Sequence, residues 1–383
     1  MFMKAHLHVL WEIMVTKIKI LHIFGCMDLG GAELRTLEWF KAIDHSKYEF
    51  HFYALSGRKG ILDEQITHLQ GKVFYGDLSF GFAKRFMKLL SREKYDVVHS
   101  HVYYFSGYIL FLSYLQGVKT RIAHFRSSAS DEQISLYKKM YNGIMRFAIQ
   151  RYATDICAVC RKALDSLWQK NEQDQRFSVI YNGFSNHFPM KDALYVKRTF
   201  SIANEFKIII HVGNFRKEKN HERLLKVFCQ IKKRKPHVKL LLVGRQDDDI
   251  FGKINNIVEK NNLKDDVIFT GIRNDVSQLL GGSDLLLFPS VREGLPGVVI
   301  ESCAMSTPVL ASDVGGIPEI AMFFPAFVSS ISLQEQDSIW CKKACEILDK
   351  DADNTSIDLG QTPFSLSTSL ETLMSIYHKK VDV

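Results

Sequence analysis

The sequence predicts an α/β protein built from two Rossmann-like domains. Three observations lead to this prediction: short apolar runs alternate with amphipathic helical stretches, the alternation occurs twice, and residues 186–195 between the two halves lack periodicity. A chain of 383 residues also suits two cores better than one or three. Parallel strands joined by helices give this rhythm because both faces of such a sheet are covered.

Each half of the chain supplies its own series of elements. In the first half, strands are predicted at residues 18–24, 50–55, 97–99 and 156–159, with helices at 33–43 and 82–90. In the second half, strands are predicted at 208–212, 240–243, 267–269, 285–288 and 309–310, with helices at 224–231 and 254–258.

The predicted domains span residues 1–185 and 186–365, followed by a helix at 366–383. This last helix is indicated by the apolar series Leu366, Leu370, Leu373 and Tyr377. Ligands of such sheets bind at the carboxyl ends of the strands, so we expect the site in the cleft between the two domains.

The positive charge of the chain is concentrated in its first half. Residues 1–190 contain 25 Lys and Arg against 17 Asp and Glu, whereas residues 191–383 contain 25 of each, so the first half carries the whole net charge of +8. This excess indicates an anionic partner: nucleic acid, an anionic membrane surface or a phosphorylated substrate. Two basic helical stretches contribute, namely Lys84, Arg85, Lys88, Arg92 and Lys94, and Lys138, Lys139, Arg146 and Arg151. Each alone is by default a solvated helix face; together they favour docking to an anionic membrane.

The remaining composition excludes several classes of protein. Hydrophobic residues at 46% and charged residues at 24% exclude a disordered or collagen-like chain. Seven cysteines without a secretory cleavage pattern favour a reducing, cytoplasmic compartment, and we interpret Cys157 and Cys160 as core residues. No apolar run approaches the roughly 20 residues of a membrane span. Residues 1–16 are a possible extension, and translation from Met14 is an equal alternative.

Two features of the first half indicate a ligand site. Gly30 and Gly31 follow the first strand, where backbone N–H groups can approach a phosphate, although a glycine pair is as often a simple tight turn. His99 and His101 end a strand and share one face of it. We interpret His99 as structural and His101 as a residue that orients or protonates a substrate. A metal pair here has no evident third ligand.

A basic turn begins the second half. Arg216, Lys217 and Lys219 follow Gly213 between a strand and a helix. Three cations there suit a leaving group whose negative charge grows in the transition state. A solvated basic loop is the alternative, and it explains Lys217 more easily than the other two.

Residues 289–301 are the most informative segment. Glu293 precedes the loop Gly294, Leu295 and Pro296, and Glu301 lies in the apolar helix that follows, where a buried carboxylate needs hydrogen-bond donors such as sugar or ribose hydroxyls. Residues 313–319 repeat the arrangement of strand, glycine pair and early proline. Two glycine-rich turns at one cleft indicate a diphosphate site.

These features lead to a family. Residues 208–320 resemble the retaining glycosyltransferases of sequence family 4, the group 1 glycosyl transferases with the GT-B fold; the resemblance covers essentially the whole chain and is loosest at 323–362. Its strongest element is the motif E-x7-E, met by Glu293 and Glu301. The resemblance implies that Glu293 binds hydroxyls of a donor sugar and Glu301 binds the nucleotide ribose. It also implies that the last helix crosses back to the first domain.

The resemblance assigns roles to further residues. Lys219 matches the lysine that holds the donor diphosphate, and His101 matches the histidine near the reacting sugar, so these two and Glu293 are the implied catalytic residues. Arg273 lies where the family contacts the base. The loop residues implied to contact sugar and phosphate are Gly30, Gly31, Gly213, Gly294, Leu295 and Pro296.

One position departs from the family pattern. The family commonly has Gly-Arg where this chain has Gly213 and Asn214, so the usual arginine partner of Lys219 is missing. We expect Arg216, two residues later, to reach the same phosphate.

The reaction implied by the resemblance is hexose transfer from a nucleotide-diphosphate sugar, expected to be UDP-linked, with the anomeric configuration retained. The implied acceptor is a glycan or lipid-linked hydroxyl in bacterial surface or exopolysaccharide synthesis, and the protein would act on the inner face of the cell membrane. Protein cations would stabilise the leaving diphosphate, so no metal and no cofactor are expected.

Three other interpretations compete with this one. The run from Asp247 to Asp249 contains an Asp-x-Asp pattern typical of metal-dependent transferases, but acidic residues at a helix start are the preferred interpretation. A nucleotide-sugar epimerase of similar shape is an alternative enzyme. A basic nucleic-acid-binding protein is the third, although no nucleic-acid-binding module is recognisable, so we expect no nucleic acid partner.

Overall fold

The structure is a computed structural model that describes residues 17–128, 135–168, 174–246, 248–350 and 357–379. The possible extension at residues 1–16 and the alternative start at Met14 lie outside these residues. Two parallel sheets with helices on their faces confirm the predicted α/β class and the GT-B arrangement.

The first domain is built on a parallel sheet. Its strands are β1 (Ile18–Phe24), β2 (Tyr48–Ala54), β3 (Lys72–Tyr75), β4 (Val97–Ser100), β5 (Thr120–Phe125), β6 (Asp155–Ala158) and β7 (Phe177–Val179). Its helices are α1 (Gly31–Ala42), α2 (Asp63–His68), α3 (Phe82–Glu93), α4 (Ser106–Leu115), α5 (Leu136–Tyr152) and α6 (Arg161–Leu167). Over the described residues, the strand order is β3-β2-β1-β4-β5-β6-β7.

The second domain repeats this plan. Its strands are β8 (Lys207–Val212), β9 (Val238–Val243), β10 (Val267–Gly271), β11 (Leu285–Phe288), β12 (Val309–Ser312) and β13 (Val328–Ile331). Its helices are α7 (Tyr195–Thr199), α8 (His221–Arg234), α9 (Asp248–Lys260), α10 (Val276–Gly281), α11 (Gly297–Ala304), α12 (Ile317–Phe323) and α13 (Asp337–Leu348). The described strands have the order β10-β9-β8-β11-β12-β13. The boundary predicted at 185/186 falls between β7 and β8.

The last helix, α14 (Leu366–His378), packs on the first domain. It joins the core formed by α1, α2 and one face of the first sheet, whereas α3, α4 and α5 cover the other face. Trp39 donates from Nε1 to Ser369 Oγ at 2.9 Å, and the Tyr377 hydroxyl lies 2.9 Å from Nδ1 of His99. The chain therefore crosses from the second domain back to the first. Within the described residues, no helix is both long and apolar enough to cross a bilayer.

Four strands were absent from the sequence prediction, for two physical reasons. Strands β3, β7 and β13 lie at sheet edges and are only partly buried, so their sequences lack a continuous apolar run. Strand β5 is interior, but Arg121 and His124 interrupt its apolar pattern. The structure accommodates both: Arg121 donates to the Tyr152 carbonyl at 2.7 Å, and His124 bonds to a neighbouring histidine.

Seven histidines of the described residues are enclosed within the two domains. His51 lies beside the carboxylate of Glu49, and the other six are His22, His99, His101, His124, His211 and His221. Burial disfavours the charged ring and lowers the pKa of each, to about 3 for His22 and to about 4 for His221. All six rings are therefore neutral in the folded protein at pH 7.

We expect the free energy of unfolding to decrease as the pH falls below about 6.5, the ordinary pKa of histidine. The unfolded chain takes up protons on these rings below that pH, whereas the folded protein does not do so until about pH 4 at His221 and about pH 3 at His22. Each ring thus lowers the free energy of unfolding by up to about 1.4 kcal/mol for each pH unit between about 6.5 and the pKa of that ring in the folded protein. Urea unfolding at several pH values from 7.5 to 5 measures the slope.

The matched variants for this measurement are His221→Gln and His45→Gln. His221→Gln should reduce the slope of unfolding free energy against pH by the contribution of about one proton. His45→Gln should leave the slope unchanged because His45 is exposed. Stability that does not vary with pH over this range would contradict the prediction.

Candidate active site

The predicted site residues follow the strands at which each sheet reverses its order. These strands are β1 and β4 in the first domain and β8 and β11 in the second. Open α/β sheets bind ligands outside the carboxyl ends of the strands at such points. The two edges also contact each other, since Ser128 Oγ donates to the Glu293 carbonyl oxygen at 2.9 Å. The candidate site is therefore the cleft at this junction.

Lys219 and Glu293 form an ion pair in the cleft. Nζ of Lys219 lies 2.7 Å from Oε1 of Glu293, with the side chains 25% and 10% exposed. The ammonium also lies over the ring of Phe288, 4.8 Å from its centroid. A Cβ at Gly213 would stand 3.0 Å from Cδ of Lys219, which explains the glycine at the end of β8. The structure thus brings three predicted site residues together.

Glu301 faces the cleft from α11. Burial raises the pKa of this carboxyl group, and the charge of Arg35 opposes the shift. Arg35 reaches it from α1 of the first domain, with Nη2 3.9 Å from Oε1, and stacks on Phe184 at 4.4 Å from the ring centroid. The carboxylate that the resemblance assigns to ribose therefore already has a partner across the cleft.

The loop after Glu293 lies against the first domain. A Cβ at Gly294 would overlap the carbonyl oxygen of Arg126. Leu295 accepts at its carbonyl from Asn182 Nδ2 at 3.3 Å, and Pro296 is the residue before α11. This loop is therefore held through its backbone.

The second glycine turn supports that loop. Gly316 donates from its backbone N–H to the Gly294 carbonyl at 2.6 Å, and Gly315 has φ +55°, a conformation that favours glycine. A Cβ at Gly315 would overlap the Glu293 carbonyl oxygen. Both glycine-rich turns of the second domain thus stack on each other beside the cleft.

Gly30 and Gly31 begin α1, and a carboxylate lies over them. Glu33 folds back so closely that a Cβ at Gly30 would overlap its Oε2 atom. Burial raises the pKa of Glu33, while its own backbone N–H and the charges of Arg126 and, from the second domain, Arg216 act in the opposite direction. An acidic group therefore occupies the surface where the sequence predicts a phosphate.

His101 is hydrogen-bonded through both ring nitrogens. Nδ1 accepts from Nε of Arg126 at 3.2 Å, and Nε2 lies 3.1 Å from Nδ1 of His22. Burial, His99 and Arg126 hold the pKa of His101 well below its ordinary value. The ring is neutral near pH 7, which suits the expected role in orienting a substrate.

His101 belongs to a stack of four histidines in the first domain. Its ring centroid lies 4.3 Å from that of His99, and Nε2 of His99 lies 3.0 Å from Nδ1 of His124. Nitrogens of His22, His99 and His101 lie within 4.8 Å of one another. The expectation that no third nitrogen lies near was wrong, because the pairing of β1 with β4 sets His22 beside His99. The rings bond to each other and Arg126 donates into the group, so the stack fits a neutral network better than a cation site.

Two other predicted donor residues, and the residue at the family's arginine position, have different surroundings. Arg273 forms a bidentate pair with Asp275, at 2.8 and 2.6 Å. Asn214 accepts from the Arg245 backbone N–H at 3.0 Å, so its side chain supports the turn. Arg216 precedes the helical turn Lys217–Lys219, and its charge is a minor influence that opposes the raised pKa of Glu33.

The cysteines and the acidic run have local roles. Burial raises the pKa of Cys157 and of Cys160 to about 12, and Cys160 Sγ accepts from the Ala163 N–H at the start of α6. Both are buried, in line with the sequence interpretation. Helix α9 begins at Asp248, whereas Asp247 lies outside the described residues.

Glu319 of α12 connects the domains at the edge of the cleft. Its carboxylate accepts from the backbone N–H groups of Arg161 and Lys162 at 3.0 and 2.9 Å and from the Tyr181 hydroxyl at 2.9 Å. Lys162 also donates to the Asp313 carbonyl at 2.6 Å. The structure is thus a closed arrangement of the two domains.

Sequence reasoning missed Arg35, Arg126 and Glu319. Arg126 directly follows β5, so the rule that ligand groups follow strand ends would have found it had the strand been recognised. Arg35 and Glu319 act only through partners more than 100 residues away in the chain. No local pattern identifies such partners.

Comparisons with known proteins agree over the length of the chain. The model described as Glycosyltransferase Family 4 matches residues 29–186, and that described as Glycosyl transferases group 1 matches residues 196–322. The capsular polysaccharide biosynthesis glycosyltransferase CapH of Staphylococcus aureus is 31% identical over 366 residues, covering 95% of this chain and 99% of CapH. The putative glycosyltransferase EpsF of Bacillus subtilis is 29% identical over 337 residues, covering 85% and 86%.

Solved structures share the fold. HepE of Anabaena, in complex with UDP and glucose, superposes with a TM-score of 0.76 at 19% identity, covering 94% of this chain and 100% of HepE. Sucrose-phosphate synthase of Thermosynechococcus elongatus superposes with a TM-score of 0.74 at 18% identity, covering 95% and 99%.

Replacing Gly294 with alanine should leave both domains folded and prevent their closure, because the new Cβ would overlap the Arg126 carbonyl oxygen. Small-angle X-ray scattering should show a larger radius of gyration than the parent. Hydrogen exchange should be faster at the Arg161 and Lys162 amides, which Glu319 protects.

The matched control is Gly252→Ala in α9, where no atom lies within 4 Å of the added Cβ. It should leave closure unchanged and alter stability by at most about 1 kcal/mol in the favourable direction. Scattering and exchange identical to the parent in Gly294→Ala would contradict the assignment of this contact.

Proposed function

Because this chain belongs to the group 1 glycosyltransferases of family 4, we propose that it transfers a hexose from a UDP-sugar to a hydroxyl of a lipid-linked glycan, with retention of the anomeric configuration. Family membership makes it a glycosyltransferase that uses a nucleotide sugar. The proposed sugar, acceptor and stereochemistry are argued from the geometry of the cleft. The name of CapH and the UDP bound to HepE support surface polysaccharide synthesis and a uridine nucleotide.

The observation that carries the proposal is the Lys219–Glu293 pair beside the E-x7-E motif. Cleavage of the sugar–phosphate bond leaves negative charge on the diphosphate. The ammonium of Lys219 has three donors, so it can hold Glu293 and a phosphate oxygen together. Glu293 in turn accepts from donor-sugar hydroxyls, and Glu301 accepts from ribose once Arg35 moves aside.

The cleft also supports a reaction that proceeds without a metal ion. Arg216 directly precedes the helical turn that contains Lys219, so the basic turn carries a second cation near the pair. Together they supply the positive charge that a divalent ion provides in other transferases. Chelator should accordingly leave the rate unchanged, and the proposal includes no cofactor.

Helix α5 supports docking to an anionic membrane. Five of its apolar side chains are 56–84% exposed: Leu136, Tyr137, Met140, Ile144 and Phe147. Residues 136–152 contain four basic residues and no acidic one. Interfacial helices combine such features. The basic helix α3 differs, because its apolar residues Phe82, Phe86, Leu89 and Leu90 are buried, so it offers charge alone.

The position of α5 relates membrane docking to the acceptor. Ser128, which bonds to the Glu293 carbonyl, precedes the start of α5 by eight residues. Eight residues span at most about 29 Å, so a bilayer in contact with the start of α5 would lie within that distance of the cleft. This supports a lipid-linked acceptor reached from the cytoplasmic face of the membrane.

Incubation with a panel of nucleotide sugars and a lipid-linked acceptor tests the function. We expect free UDP and a product with the donor's anomeric configuration, read by NMR coupling constants. Glu293→Gln and Lys219→Ala should each lower turnover by at least about 100-fold with the fold retained, because each removes a group that meets transition-state charge or the sugar.

The matched control is Glu218→Gln. Glu218 pairs with Arg292 at 3.0 Å between the same two loops but is more exposed, so its loss should have little effect. Near-normal turnover in either cleft variant would remove the site assignment. An epimerised donor without free nucleotide would indicate an epimerase.

Vesicle sedimentation tests the membrane contact. We expect salt-dependent binding to phosphatidylglycerol vesicles and not to oligonucleotides. The double variant I144E/F147E should lose most of this binding, since it places two charges on the apolar face of α5, whereas K84Q/K88Q on α3 should lose less. Equal binding of parent and α5 variant would contradict the docking surface. Turnover of a soluble acceptor should be unchanged in both variants.

A further inference from the structure

Arg126, at the end of β5, is a buried cation with neutral partners. Its Nε donates to His101, its Nη1 to Asn182 Oδ1 at 3.0 Å, and its Nη2 to Thr36 Oγ1 at 3.1 Å. The guanidinium also stacks on Trp39, 4.8 Å from the ring. A buried charge without a bonded carboxylate is costly. Burying this charge lowers the stability of the folded protein. All three nitrogens of the guanidinium nevertheless donate to defined acceptors.

This arginine fixes the tautomer of His101. A guanidinium donates hydrogen bonds and cannot accept them, so Nδ1 of His101 must be the acceptor. The proton of the neutral ring is then on Nε2, from which it reaches Nδ1 of His22 at 3.1 Å. Nε2–H is accordingly the donor of His101, and it can reach a sugar hydroxyl only in exchange for its bond to His22.

A second hydrogen bond of Arg126 leads, through Asn182, to the other domain. Asn182 accepts from Arg126 with Oδ1 and donates with Nδ2 to the Leu295 carbonyl at 3.3 Å. The Arg126 backbone meanwhile lies against Gly294. The chain of bonds from His101 to residues 294–296, here called the donor loop, is complete only when the domains are closed.

We infer that Arg126 is a positioning residue of the transfer reaction, which holds His101 with its proton on Nε2 and couples that state, through Asn182, to closure of the donor loop. The catalytic consequence rests on the proposed function; the tautomer does not. The titratable or charged groups that face His101 are His22 from β1, His99 from β4, and His124 and Arg126 from β5. Glu33 of α1 acts on Arg126.

Kinetics of Arg126→Gln and Arg126→Lys test the role in catalysis. We expect kcat to fall by about 100-fold in Arg126→Gln because the ring is no longer held in place, with the donor KM within about twofold of the parent. Loss of the cation also removes one of the charges that lower the pKa of His101, while burial, the larger cause, remains. The acid limb of the kcat profile should therefore move toward higher pH. Arg126→Lys should recover part of kcat, and the same-strand control Arg121→Lys should match the parent.

Nitrogen-15 NMR of labelled histidine tests the tautomer directly. In the parent, His101, assigned with the His101→Gln variant, should show an unprotonated Nδ1 and a protonated Nε2, and Arg126→Gln should show mixed tautomers. If Arg126→Gln does not fold, Asn182→Ala keeps the arginine and should lower kcat by about tenfold at unchanged donor KM.

Two results would overturn the inference: a protonated Nδ1 on His101 in the parent, or an unchanged kcat and pH profile in the folded variants. Failure of the parent to use any nucleotide sugar would instead refute the proposed function. The NMR measurement decides the tautomer in either case.

Discussion

The approach of the Gly294 backbone to the Arg126 carbonyl is the contact on which the closed cleft depends. Any side chain at residue 294 would keep the two sheet edges apart. With that contact made, Ser128 meets the carbonyl of Glu293 and Asn182 meets the carbonyl of Leu295. The donor loop is thereby fixed through main-chain atoms, which hold one geometry whatever its side chains do. Such fixed dipoles are the kind that stabilise charge without reorganisation.

Charges in this closed state are balanced across the domain boundary. Glu319 accepts from backbone N–H groups of α6, Arg35 lies at Glu301, and Glu33 experiences the field of Arg216. Under the proposed function, a diphosphate in the cleft would compete with these carboxylates for the same cations. Lys219 and Glu293 form a comparable pair of opposite charges within the second domain.

The sequence predicted the second domain's site better than the first domain's. Glu293, Gly294 and Glu301 lie within nine residues, so one contiguous motif carried them. Arg126 was missed because β5 itself was not predicted. Arg121 and His124 interrupt the apolar pattern of this buried strand, and their hydrogen-bond partners lie far away in the chain. The histidine stack depends on strand pairing, and the contacts of Arg35 and Glu319 depend on closure. Periodicity reports burial within one element and contains no information on which elements meet.

Under the proposed function, the contact of Arg35 with Glu301 has a consequence for the order of events. On that proposal Glu301 binds ribose, but Nη2 of Arg35 from the first domain lies 3.9 Å from its carboxylate. A nucleotide would then enter after Arg35 has moved away and before the first domain returns, and it would leave through the same opening. Interdomain motion would in that case contribute to turnover alongside bond cleavage.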